Sequence, residues 1–163
     1  MCWNKEVSLL TFVLAIIGVA YLYRRNAEND RWIALFGGTV AMIQLTEYFM
    51  WSDQACGKIN QLASMFALLI LALEPFSNMI GGIYLSNSTN KSLLRIMLTS
   101  YIVFIFFVYV STINNHEIEW CGINNCSVNP SANKCNLQWN FLNTIDPKIG
   151  IVWILYLMLP LLT

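Results

Sequence analysis

Apolar and polar positions alternate along this chain in blocks rather than residue by residue. Apolar blocks run over Val7–Tyr23, Trp32–Trp51, Gln61–Leu85, Ile96–Thr112 and Ile149–Thr163, with polar links between them. Uncharged blocks approaching or exceeding about 18 residues are the signature of helices that cross a ~30 Å hydrocarbon core. The first block does not read as a cleaved signal peptide. Bulky Tyr21, Leu22 and Tyr23 and then Arg24–Arg25 follow it, where a small-residue cleavage site is needed. Tryptophans stand at both ends of the second block, where amphipathic rings favour a membrane interface. The third is roughly 37 Å long as a helix, so it is expected to tilt or bend, and Pro75 supplies a cause for a kink. The fifth is only about 22 Å long as a helix, too short to cross. It reads as a partial span or as the start of a longer run in a truncated chain, and truncation is the favoured reading.

The large polar segment, Ile113–Lys148, holds three cysteines and seven asparagines before Leu137. It carries turn chemistry such as Asn129-Pro130 without sustained helical or strand period, so an irregular folded loop is expected. Composition supports the membrane class. Apolar residues make up 57% and charged residues 11%, against about 45–50% and 25% in soluble domains. The expected fold is all-α: a polytopic helical membrane bundle, residues 1–163 as one domain. It has about five spans (7–23, 32–51, 61–85, 96–112, 149–163) and one disulfide-bearing outer loop, 113–148. The net charge is zero, so no nucleic-acid partner is expected. The expected partners are the lipid bilayer, a second copy of the chain and a protein docking on the outer loop.

Alternating spans put Arg24, Arg25, Arg31, Lys91 and Arg95 on one side and Lys5, Lys58, Lys134 and Lys148 on the other. The short first link has three of these basic residues, which marks that side as cytoplasmic and the N-terminus as extracytoplasmic. All five cysteines, Cys2, Cys56, Cys121, Cys126 and Cys135, then fall on the outer side, as in an oxidising compartment. Sequence cannot fix their pairing, and an odd count leaves one unpaired within the chain. Cys56 lies in a tight link, so a bridge from it to the large loop would pin that loop over the mouth between the second and third helices. Zinc is the rival use, but the Cys121-x4-Cys126 and Cys126-x8-Cys135 spacings lack a paired CxxC.

Met1-Cys2-Trp3, Asp53-x-x-Cys56-Gly57-x-x-Asn60, Glu74-Pro75-Phe76-x-Asn78, Cys121-Gly122-x3-Cys126, Trp139 and Leu157-x-x-Pro160-Leu161 occur in that order. Together they resemble an uncharacterised family of multi-pass membrane proteins whose members begin Met-Cys-Trp-Ser. The resemblance spans the chain through short motifs. It implies further spans after Thr163, and it implies that Cys2, Cys56, Cys121 and Cys126 belong to the shared pattern, with Cys135 the extra one. The chain departs from that pattern at Asn4, where serine is usual, and around Asn136, where histidine is expected. It also departs at Glu74, where glutamine is expected. No function comes with the family. The Asn- and Ile-rich composition fits an AT-rich genome, of a protist or a large virus.

Candidate chemistry sits in the second and third blocks. Gln44 and Glu47 share one helix face at i, i+3 spacing; polar glue between helices and snorkelling to the outer surface are their ordinary uses. Glu74 is deeper, roughly 20 Å from the outer end of its span. Asn78 shares its face, and Pro75 deprives the Leu71 carbonyl of its donor. Glutamate, amide and freed carbonyl resemble a cation or proton site at a broken helix; a protonated Glu74 inside a packed bundle is the alternative. His116 with Glu117 and Glu119 reads as a solvated loop start rather than a metal site. No nucleophile–base pair, phosphate loop or haem-type histidine pair occurs, so neither an enzyme nor a cofactor is expected. The leading expectation is an ion or proton channel or transporter subunit using Glu74, Asn78, Glu47 and Gln44; the alternative is a structural or assembly protein of a virion or organelle, docking a partner through the outer loop.

Glycosylation tests the sidedness, because sequons are modified only in the lumen. Asn125 is expected to accept glycan in a lumenal translocation assay while Asn87 and Asn90 stay bare. Sugar on Asn87 with Asn125 unmodified inverts the topology.

Overall fold

The computed structural model describes residues 4–86, 90–113, 118–128, 136–143 and 147–158. Four long helices come first: α1 (Lys5–Arg25), α2 (Asp30–Ser52), α3 (Lys58–Tyr84) and α4 (Lys91–Ile113). Two strands, β1 (Gly122–Asn124) and β2 (Leu137–Trp139), and the short helices α5 (Asn125–Val128) and α6 (Asn140–Asn143) follow. The last described element is α7 (Pro147–Met158). By length and composition α1 to α4 are apolar enough to cross a membrane, while α7 is a shorter apolar helix. Helices α1, α2 and α4 run past their apolar blocks at both ends and α3 at its start, because charged and polar residues there continue the backbone ladder.

The Asn4 side chain starts α1 by accepting from the Val7 N–H at 2.8 Å. The α1–α2 turn is tight. Asn26 and Asn29 both adopt left-handed backbone, φ 52° and 64°, which asparagine tolerates better than most residues. Asp30 closes the turn, accepting from the Ala27 N–H at 2.8 Å and from Arg25 through a two-pronged contact at 2.6 and 2.8 Å.

Burial is uneven. On α3 a whole face is covered, including Ala63, Ala67, Ile70, Met79 and Ile83. On α1 and α4 large apolar side chains point outward; Leu10, Ile17, Ile96, Phe106 and Phe107 are 58–66% exposed. Apolar faces of that extent need a non-aqueous covering. One core cluster joins α3 and α4 through Met79, Met97 and Tyr101, with Phe76, Phe104 and Tyr156 of α7 packed on it. The other joins Met50, Ala63 and Ala67 to Leu137 and Phe141 of the 118–143 region.

The loop expected to be irregular contains a small antiparallel ribbon. β1 and β2 pair Gly122 with Trp139, Ile123 with Gln138 and Asn124 with Leu137. Strands of three residues are too short to display a period-2 signal, which is why the sequence hides them. The helical class holds for the bulk of the chain, with this ribbon added at one end of the helices.

Candidate functional site

Two groups of polar residues are built with care. The first is the junction between the α2–α3 link and the ribbon. Gly57 supplies no side-chain cap to α3, so Asp53 does: its carboxylate accepts from the Gly57 and Asn60 N–H groups, each at 3.2 Å. The approach requires glycine, since a Cβ at Gly57 would lie 2.5 Å from an Asp53 carboxylate oxygen. Cys56, in left-handed backbone at φ 58°, is disulfide-bonded to Cys121 with Cα atoms 5.7 Å apart. The expectation that Cys56 ties the large loop over the α2–α3 mouth is met. Cys126 is disulfide-bonded as well, whereas Cys2 and Cys135 lie outside the described residues.

Asn60 is the centre of this junction and is completely buried. Its amide donates to the carbonyls of Met50 at 3.1 Å, Asp53 at 2.8 Å and Gly122 at 2.8 Å. Its Oδ1 accepts from the Gly122 N–H at 2.8 Å. One side chain thus engages both backbone groups of a strand residue, as a neighbouring strand would, while it also satisfies carbonyls at the end of α2. Gln54 repeats the device, donating to Met50 O at 2.8 Å and accepting from the Asn124 N–H at 2.7 Å. Glycine at 122 leaves room for Met50: a Cβ there would sit 2.5 Å from the Met50 sulfur and push that side chain aside. Beyond it Trp120 and Trp139 stack on Phe141 at 5.8 and 5.6 Å.

The second group surrounds Pro75. The Leu71 carbonyl, which Pro75 cannot serve, is not left open as the sequence reading has it. The Trp153 indole of α7 donates to it at 2.8 Å. Tyr101 of α4 donates to Ala72 O at 2.7 Å. The Asn78 amide donates to Leu157 O at 2.9 Å, and the Trp32 indole donates to Asn78 O and Oδ1 at 2.9 and 3.0 Å. Asn78 is fully buried, and Glu74 is 6% exposed on the same helix with no hydrogen bond to its carboxyl among the described residues. So Glu74 and Asn78 are both inside the bundle, and Asn78 is committed to α2 and α7. In the other pair, Glu47 is buried rather than extended to the surface, and Gln44 is half-buried.

Asn60, Trp32, Trp153 and Tyr101 have roles that sequence reasoning misses, although Asn60 closes the Asp53-x-x-Cys56-Gly57-x-x-Asn60 motif. Trp32 reads as an interfacial anchor, yet its N–H is aimed inward. His116 and Glu117 lie outside the described residues, while Glu119 accepts from the Asn140 amide at 3.1 Å. Among the described residues no group of three His, Cys, Asp or Glu could hold a metal.

The chain is similar to an uncharacterised protein of Acanthamoeba polyphaga mimivirus, 27% identical over 118 residues. That match covers 66% of this chain and 48% of the viral protein, so the chain spans about half the length of the curated relative it matches. No family model and no solved structure matches the chain. A large-virus relative is in keeping with the Asn- and Ile-rich composition.

Replacing Asn60 tests the junction. Asn60→Ala leaves the Gly122 N–H and several carbonyls buried without their partner, at about 1–3 kcal/mol per group. A clearly lowered unfolding midpoint in detergent is expected, with a further drop on reduction of Cys56–Cys121. An unchanged midpoint for Asn60→Ala means that the junction does not hold the ribbon.

Proposed function

We propose that the protein is a membrane-integral structural or assembly component that presents the ribbon region, residues 118–128 and 136–143, as a rigid platform for a protein partner. In this reading α1 to α4 cross the bilayer and the disulfide side is extracytoplasmic. The observation that carries it is how the polar groups are spent. Around Pro75 the indoles of Trp32 and Trp153, the Tyr101 hydroxyl and the Asn78 amide all join one helix to another. At the other end Asn60 and the Cys56–Cys121 bridge fasten the ribbon to the α2–α3 link. Side chains used this way stiffen a bundle rather than line a path. The membrane meant in this proposal is that of a virion or an organelle.

The test is purification from its native membrane in mild detergent, oxidised and reduced. A stoichiometric protein partner is expected with the oxidised protein, lost on reduction and absent from Cys121→Ser. A partner that survives reduction, or oxidised protein that purifies alone, overturns the docking platform.

One observation favours a second reading, an ion or proton conductor. The Glu74 carboxyl is buried at the Pro75 position and no described residue hydrogen-bonds it. An uncompensated carboxyl in such surroundings is a common element of proton paths. Proton flux in liposomes decides this. Wild-type flux above empty vesicles, abolished in Glu74→Gln, is the outcome a conductor requires. Flux equal to empty vesicles rules the conductor out, and equal flux in the two proteins removes Glu74 from any path.

A further inference from the structure

The turn between α1 and α2 brings three arginines, Arg24, Arg25 and Arg31, to one end of the helix pair. They are not equivalent. Arg25 is neutralised by the two-pronged contact with Asp30. Arg24 and Arg31 have no acidic partner among the described residues, and the Arg31 guanidinium rests 5.4 Å from the centroid of the Tyr23 ring.

These two unpaired cations line the same cavity. It is a groove of about 650 Å³ between α1 and α2, with Arg24 and Arg31 at its end and Ile16, Val19, Leu35, Gly38 and Met42 along its wall. Neither Glu28 nor Asp30 lines it. Gly38 and Ala34 keep the floor low, so the groove stays open along both helices. The volume lies within the ~300–1,000 Å³ of typical small-ligand sites. The chemistry is that of an amphiphile: two positive charges at one end and an aliphatic trough beneath. A free anion has no use for the trough, and an uncharged chain has no use for the arginines.

We propose that the α1–α2 groove is a binding site for an anionic phospholipid, its phosphate between Arg24 and Arg31 and one acyl chain along Val19, Leu35 and Met42. The proposal rests on the membrane reading given above. The aromatic contact holds the Arg31 guanidinium toward the groove, and the Asp30 contact keeps Arg25 from competing for the headgroup. Basic pockets between membrane helices hold anionic headgroups by the same combination of charge and shape.

The test is native mass spectrometry of the detergent-extracted protein with phosphatidylglycerol, phosphatidylcholine of the same chains, and inorganic phosphate. One phosphatidylglycerol per chain is expected to be retained in preference to phosphatidylcholine. Each arginine contributes about fivefold to affinity, so Arg24→Gln with Arg31→Gln lowers phosphatidylglycerol binding by about 25-fold. Arg95→Gln, which removes a charge that does not line the groove, leaves binding unchanged. Gly38→Leu fills the trough beside Val19 and weakens both lipids. Equal retention of the two lipids, or wild-type binding by the double arginine variant, overturns the site. Displacement of the lipid by millimolar inorganic phosphate makes it a free-anion site and overturns it too. Alkaline carbonate separates the failures. Wild-type protein released from membranes sinks the membrane reading along with the site, whereas integral protein without lipid selectivity sinks the site alone.

Discussion

Pro75 has no amide hydrogen, so the Leu71 carbonyl one turn back loses the donor that a regular helix would give it. Away from water such a group must be satisfied by something else. Here the donor is the Trp153 indole at 2.8 Å, one of several contacts that hold α7 against α3 and α4. With α7 against α3, Leu157 O comes within reach of the Asn78 amide, and Tyr156 reaches the rings of Tyr101 and Phe104. Tyr101 in turn donates to Ala72 O beside the same defect. A local backbone vacancy in α3 thus collects α4 and α7 around it, and Trp32 brings in α2 at Asn78.

The opposite end of the helices solves a related problem with different parts. The last carbonyls of α2 and the first N–H groups of α3 both need partners where the chain reverses. Asp53 caps one and Asn60 the other, and Asn60 has donor and acceptor left over for Gly122. The ribbon is therefore docked by backbone-like hydrogen bonds rather than by an apolar patch alone. Met50 lies against both Gly122 and the Ala63–Ala67 face, so the polar junction and the apolar core share one residue.

The four long helices were legible because their apolar blocks are long and their links short. Cys56 was legible as a tether by its place in a tight link, but its partner was not, since three loop cysteines were equally available. Glu74 and Asn78 stood out as polar residues within an apolar run. The donors around them did not. Trp32 sits where an interfacial ring is expected, and Trp153 lies in a run too short to read as a span, so nothing in the local pattern says that either N–H points at α3. Asn60 was hidden by being one polar residue at the start of a helix. Its role depends on Gly122, 62 positions away, a contact that no short-range pattern encodes.

The Cys56–Cys121 bridge joins residues 65 positions apart, with all of α3 and α4 between them. In the chain-entropy picture, closing a ring of that size removes about 4 kcal/mol of freedom from the unfolded chain. It also imposes a parity. Two residues that are bonded on one face of a bilayer must be separated by an even number of crossings, whatever the charges of the links favour. Two helices satisfy that condition and one or three do not. Under the membrane reading proposed above, the bond therefore ties α3 and α4 together: both cross or neither does.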